Sequence, residues 1–398
     1  MMGEASRAVH PSTAAPIRYR PAIRPPVRTR PRRRLSRTLL ALTVAGQLAG
    51  GTIVGEALQI PGNDPVAAKL AEWGRDHGLN DLITGLEQVQ YAGSQPAIGG
   101  EPIGGIPVAD GAVPDPDPVE ETELPAPLPP LAGGKPLARE GQWQIVVAVN
   151  DRPAVMVASV RPDEKHTSFV VGVMRMDPEL VRGELHPGTQ DPGGRWHAST
   201  SLTAAARKGI AAVFNGGFKL SDPSDPGYHS EGRTVAPLVD GAASLVLHKD
   251  GTADVGAWNR DVRMTPDVAS VRQNLQPLVD DGQVSPTCAT GGQKQWGSTI
   301  GQQAYIHRSG FGVTGTGAMI YVGGPALSVC SLGRILQDAG VVRGMELDIN
   351  PTWVSGAYFH TLPSGKPKGF KLFPDERVDP QHYFSPSSRD WFAWYLRS

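Results

Sequence analysis

From about residue 142 the chain alternates short apolar runs with Gly, Pro and Asp punctuation. Runs at 144–149, 168–174, 210–214, 244–247, 304–307 and 319–322 are rich in Val, Ile and aromatics, the signature of strands bounded by turns. Two stretches carry helical spacing instead. One covers 202–208. The other covers 328–339, where Leu332, Ile335, Leu336 and Ala339 form one stripe and Gly340 supplies a stop. Many strands, few helices and a strand after the longer helix predict an α+β domain with mixed, mainly antiparallel sheets over 138–398.

The first third reads differently. Residues 1–37 hold ten Arg, no Lys and one acid, Glu4. The formal net charge of the whole chain is −1, so this basic tail sits on an acidic body. That asymmetry points to a topological signal and away from a nucleic-acid-binding body. Eighteen residues without a charge follow Arg37, a short match to the roughly 20 that a spanning helix needs. Residues 38–56 are therefore expected to be a signal anchor. The Arg-rich flank would stay cytoplasmic and the C-terminal domain would lie outside, in a single-pass membrane protein. Cleavage after the apolar run, giving a secreted protein, is the alternative, and Ala45, Gly46, Ala49 and Gly50 allow it.

Residues 62–91 predict a pair of short amphipathic helices. Val66, Leu70 and Trp73 lie on the first, and Leu82, Ile83, Leu86 and Val89 on the second. Residues 93–136 contain eleven Pro and eight Gly, with seven acids against one Lys. Such a composition cannot bury a core of its own, so 93–137 is expected to be a disordered acidic spacer.

Candidate chemistry concentrates at three places. Met345-Glu346-Leu347-Asp348-Ile349-Asn350-Pro351 alternates strictly, so a strand places Glu346, Asp348 and Asn350 on one face. Carboxylates two residues apart stand about 7 Å from each other, a spacing suited to acid/base work on a glycosidic bond. Asn215-Gly216-Gly217 follows an apolar run; it reads as a tight turn, or as amides brought close to an anion. His307-Arg308-Ser309-Gly310 ends another run, and Arg308 offers a planar fork for a phosphate. Arg272-Gln273-Asn274 is a weaker polar cluster. With two Cys, and ten His scattered without ligand spacing, neither a metal site nor a bound cofactor is inferred. GxSxG, HExxH, P-loop and dinucleotide patterns are absent. Cys288 and Cys330 can pair if the body is exported.

Taken in order, Val213-Phe214-Asn215-Gly216-Gly217-Phe218, Asp240-Gly241, Arg308-Ser309-Gly310-Phe311-Gly312-Val313 and Glu346-Leu347-Asp348 resemble the phosphodiester glycosidase domain family over roughly 140–398. Trp258, Arg272-Gln273-Asn274-Leu275 and the 345–351 segment resemble in particular an actinobacterial, membrane-anchored branch of it. One motif departs: the family commonly carries Asn-Leu-Asp-Gly-Gly-Gly-Ser, and here Glu346 replaces the Asn while Ile349-Asn350-Pro351 replaces glycines. The resemblance implies an extracytoplasmic hydrolase that breaks the bond between an anomeric carbon and a phosphate oxygen in an envelope phosphoglycan. Asp348, Glu346 and Asn215 would be catalytic; Arg308, Gly216, Gly217, Ser309 and Asn350 would bind substrate. The alternative is a non-catalytic envelope module that binds phosphoglycans on the same fold. No nucleic-acid partner is expected, and the sequence leaves the oligomeric state open.

Overall fold

The structure is a computed structural model that describes residues 95–112, 124–299, 303–362 and 364–397, together with isolated positions between 55 and 79. All of them belong to one compact unit, Ile53–Ser398. The basic tail, residues 38–54 of the expected anchor and the second of the two expected short helices lie outside the described residues. No helix among the described residues is long and apolar enough to cross a membrane.

Three antiparallel sheets build the body. The largest joins β1 (Gln144–Val149), β2 (Arg152–Val160) and β3 (Val171–Met176) to β14 (Met319–Leu327), β13 (Ile306–Thr314), β15 (Val341–Glu346), β11 (Pro277–Asp280) and β12 (Gln283–Val284), in that order. A second sheet runs β7 (Arg233–Ala236), β6 (Tyr228–Ser230), β10 (Val268–Gln273), β8 (Ala243–His248), β9 (Ala253–Ala257). The third runs β17 (Pro367–Lys371), β16 (Gly356–Thr361), β5 (Ile210–Asn215), β18 (Trp391–Leu396), β4 (Val181–His186).

Burial on both faces explains the unbroken apolar texture of the central strands. One face of the large sheet meets the shared core, where Phe214 stacks on Tyr321 with ring centroids 4.6 Å apart and Phe311 lies 5.2 Å away. The other face carries α2 (Val329–Asp338), whose Leu332, Ile335 and Leu336 are fully buried against it. Ser328 caps that helix by accepting from Ser331 N at 3.0 Å, and Gly340 takes the left-handed φ of +84° that ends it. Gly310 allows the helix to lie this close, because a Cβ there would come within 2.9 Å of Met345 O and 3.2 Å of Leu332 Cδ1. A disulfide joins Cys330 of α2 to Cys288 in the loop after β12.

The α+β, mixed-sheet expectation is overturned. Every pairing between the named strands is antiparallel, and between residues 95 and 397 the described residues hold two α-helices, of which α1 (Gln293–Trp296) is a single turn; the described positions 55–56, 66, 69–70 and 73–74 are helical as well. The stretch at 202–208 yields only a 3-10 turn, Ala206–Gly209, because it is too short to add hydrogen bonds beyond a nucleus.

The disordered spacer is corrected as well. Gly99 N donates to Lys165 O and Thr167 Oγ1 to Gly100 O, both at 2.7 Å; Ala109 N donates to Gln144 Oε1 at 2.9 Å. Leu128 N donates to Gly141 O at 2.9 Å, and Trp143 Nε1 to Ala126 O at 3.1 Å. Ile106 and Leu128 are buried. Its described parts, 95–112 and 124–137, form no core of their own; they dock on one that already exists.

Candidate functional site

A cleft of about 550 Å³ opens where β5 and β15 end and β18 begins. Asp348 stands in its wall, two residues past β15. Pairing with β13 continues beyond the regular strand, since Leu347 N donates to Ser309 O and Ser309 N to Asp348 O, both at 2.8 Å. The chain then turns: Asp348 Oδ1 accepts from Ile349 N at 2.7 Å and Asn350 N at 2.8 Å, and Asn350 Oδ1 accepts from Thr352 N at 2.9 Å. The expected alternation therefore stops at 348, and Asn350 serves the turn. Burial pushes the Asp348 carboxyl up to about 6, against the opposing pull of Arg389 and of those two amides.

Asn215, at the end of β5, uses its whole amide within the protein. Its Nδ2 donates to Gly216 O at 2.7 Å and Ser309 Oγ at 3.0 Å. Its Oδ1 accepts from Tyr321 Oη at 2.8 Å and Ser355 N at 3.1 Å. Two donors and two acceptor positions are the full capacity of an amide side chain. Asn215 thus positions its neighbours. Gly216 N is likewise taken up by Asp390 O at 3.1 Å, and a Cβ on Gly216 would run into the Asp390 carboxylate. Gly217 also lines the cleft, and its carbonyl accepts from Arg389 Nη2 at 3.1 Å.

Three of the expected site residues lie behind the cleft wall. Arg308 and Glu346 form a buried ion pair, and Arg308 Nε also donates to Leu327 O at 3.1 Å. Burial raises the Glu346 carboxyl despite Arg308. Ser309 is fully buried; its hydroxyl serves Asn215 and the main chain of Asp348. A phosphate reaching the cleft therefore meets other residues.

Those residues come from the segment before β18 and from the opposite wall. Asp390 pairs with fully buried Arg272 of β10 through two contacts, 2.8 Å and 3.2 Å, the bidentate fork that fixes both groups. Arg272 also donates to Phe218 O, and Asn274 accepts from Phe218 N at 3.1 Å, so the weak polar cluster of the sequence braces the 215–218 segment from behind. Asn274 Nδ2 further holds Glu346 O at 3.0 Å and Leu347 O at 2.7 Å. Arg389 lies in the cleft wall with its guanidinium 3.8 Å from Asp348 Oδ2, 3.5 Å from Asp191 Oδ2 and 5.3 Å from the ring centroid of Trp353. Exposed Arg377 lines the other side.

Of the residues expected from the sequence, Asp348, Asn215, Gly216 and Gly217 line this cleft; Arg389, Asp390, Trp353 and Arg377 line it too and were not expected. Nothing local marks them: Arg389-Asp390 is one charged pair before an apolar strand. Among the described residues no group of three or more His, Cys, Asp or Glu can hold a metal ion.

The chain matches no family profile and no curated protein. It is similar to the catalytic domain of zebrafish N-acetylglucosamine-1-phosphodiester α-N-acetylglucosaminidase, at 15% identity and a TM-score of 0.40, over 65% of this chain and 88% of that one. It is also similar to a hypothetical protein from Synechocystis, at 13% identity and a TM-score of 0.34, over 62% of this chain and 63% of that one. Both are distant likenesses in fold.

Proposed function

We infer that the cleft hydrolyses a sugar-1-phosphodiester. The observation that carries this reading is Asp348: a carboxyl in the wall of a cleft, raised to about 6, with a guanidinium 3.8 Å away. In the reaction the bond between the anomeric carbon and the bridging phosphate oxygen breaks. Asp348 in its protonated form donates to that departing oxygen, and the carboxylate left behind faces the cationic sugar carbon. Phosphate is a good leaving group, so an acid of this strength suffices. Water adds to the anomeric carbon and gives up its proton to the Asp348 carboxylate, restoring the acid and leaving a free sugar and a phosphomonoester. The guanidinium groups of Arg377 and Arg389 supply positive charge for the diester, and Trp353 offers an apolar ring beside it.

The order of the sequence motifs supports the same substrate class. The extracytoplasmic setting and an envelope phosphoglycan as substrate rest on the Arg-rich tail and the apolar run at 38–56.

One observation favours the binding-module reading. Glu346, the second carboxylate of the motif, is tied to Arg308 away from the cleft, so Asp348 has no carboxylate partner from its own strand. Turnover assays across defined sugar-1-phosphodiesters decide between the two. Release of free sugar by the wild type, lost in Asp348→Asn, supports hydrolysis. Saturable binding without release supports the binding module.

A further inference from the structure

Asp240-Gly241 and Trp258 are motif residues of the sequence, yet neither lines the cleft that holds Asp348. They line a second cleft of about 480 Å³, between the turn after β9 and the β11–β12 hairpin, and the two clefts share no lining residue. The main chain fixes the turn. Gly241 N donates to Trp258 O and Trp258 N to Ala242 O, both at 2.9 Å, and Asn259 N donates to Val262 O at 2.7 Å. Trp258 is 5% exposed and packs among Val246, Val262, Val268 and Val271. Its indole N–H makes no hydrogen bond among the described residues, and it is not sealed from solvent as those of Trp391 and Trp394 are. The exposed remainder of this side chain lies on the cleft, so an unspent donor held by a rigid wall faces it. Such a donor calls for an acceptor that enters the cavity.

Charge decides the kind of acceptor. Arg260 is the one cation among the lining residues, and it is spent. It holds Asp261 through Nε at 2.9 Å and Nη2 at 2.7 Å, and Nη2 also holds both oxygens of Asp280 at 2.7 Å. Asp240 adds a further carboxylate, so an anion is repelled. A cation would leave the indole donor unused, because it accepts nothing. Among the described residues Asp240 gives one oxygen to Asn259 Nδ2 at 2.6 Å and keeps the other, and Gln276 gives its amide N–H to Thr287 Oγ1 at 2.9 Å and keeps its carbonyl. A neutral ligand whose groups both donate and accept satisfies this set, as sugar hydroxyls do, and Pro277 and Pro286 offer its C–H face an apolar wall.

We propose that this second cleft binds a neutral sugar residue of a glycan, with Trp258 Nε1 donating to a sugar oxygen and Asp240 accepting from a hydroxyl. The site goes beyond the hydrolase reading, since nothing is cleaved in it. A glycan long enough to reach both clefts would gain from the second contact.

The test uses the full chain, isotope-labelled at the tryptophan nitrogens, in a detergent that contains no sugar. The probes are neutral di- and trisaccharides of glucose, galactose, mannose, arabinose and N-acetylglucosamine. Each of the eight Trp gives an indole N–H signal, and the one lost in Trp258→Phe belongs to Trp258. At least one of the sugars should move that signal saturably, and dimethyl phosphate should not. Asp240→Ala, at an exposed position, should weaken the same titration at least about fivefold. Asp348→Asn should leave it unchanged. The proposal is overturned if none of the sugars moves the Trp258 signal saturably, or if dimethyl phosphate moves it and they do not. Unchanged affinity in Asp240→Ala overturns it too, as does loss of the effect in Asp348→Asn, which would put the sugar in the first cleft. Sugar binding at Trp258 in a chain that releases no sugar from any sugar-1-phosphodiester would support this site while removing the hydrolase reading.

Discussion

Ser309 and Asp348 hold each other through both main chain and side chain: Ser309 N donates to Asp348 O at 2.8 Å, and Ser309 Oγ accepts from Asp348 N at 3.1 Å and donates to Asp348 O at 3.2 Å. The same hydroxyl accepts from Asn215 Nδ2, so one buried oxygen ties the end of β5 to Asp348, two residues past β15. The position of the Asp348 carboxyl depends on this fixed point.

Ser309→Ala removes that point. Asn215 Nδ2 and Asp348 N would each lose a buried partner, at a cost of about 1–3 kcal/mol of stability. Thermal melting should show the loss. Turnover should fall further than the melt explains, because the carboxyl is no longer held; full activity with a lowered Tm would refute a positioning role.

Asp348→Asn keeps the shape and removes the exchangeable proton. Turnover should drop by at least about a hundredfold with little change in affinity for the diester, the pattern of an interaction made in the transition state. The pH dependence follows from the same group. In the proposed reaction it acts in its protonated form, so kcat/KM should be highest below its value of about 6 and decline as pH rises through it. A profile that climbs from pH 5 to 7 would contradict the acid role.

Arg308→Met tests whether the buried pair is structural. It leaves Glu346 as an uncompensated buried carboxylate, and breaking such a pair costs about 3–5 kcal/mol. The double change Arg308→Met with Glu346→Leu should recover much of that loss. If the pair only supports the fold, the double variant retains affinity for the diester; a large rise in KM at unchanged stability would mean that Arg308 does reach the substrate.

Leu128→Ala tests the docked N-terminal segment. Truncating a buried Leu costs about 2–5 kcal/mol, enough to lower the melting temperature by several degrees. Deleting residues 98–130 should cost more, since it removes Ile106, Leu128 and their hydrogen bonds together. An unchanged melt in both variants would show that the segment does not pack on the body in solution.

The sequence by itself determined what short-range periodicity controls. The stripe at Leu332, Ile335 and Leu336 with Ser328 and Gly340 at its ends specified α2, because capping and a 3.6-residue repeat are local. Alternation marked Asp348 as a polar residue within a strand-like run, and Asn215-Gly216-Gly217 was legible as the end of a strand, although the tight turn its residue types suggested does not form and neither glycine takes a positive φ. Only the tertiary structure decided which polar residue faces what. Arg272 and Asp390 are 118 positions apart and Asn215 and Ser309 are 94 apart, and no periodic signal links partners at such distances. The same limit separates Arg308 from Arg389. Both are lone cations beside apolar strands in the sequence, and the fold buried one against Glu346 and presented the other to the cleft. Composition, too, has a local reach. Eleven Pro and eight Gly show that residues 93–136 cannot build a core, but they leave undecided whether Ile106 and Leu128 find one already built, since that depends on surface supplied by the rest of the chain.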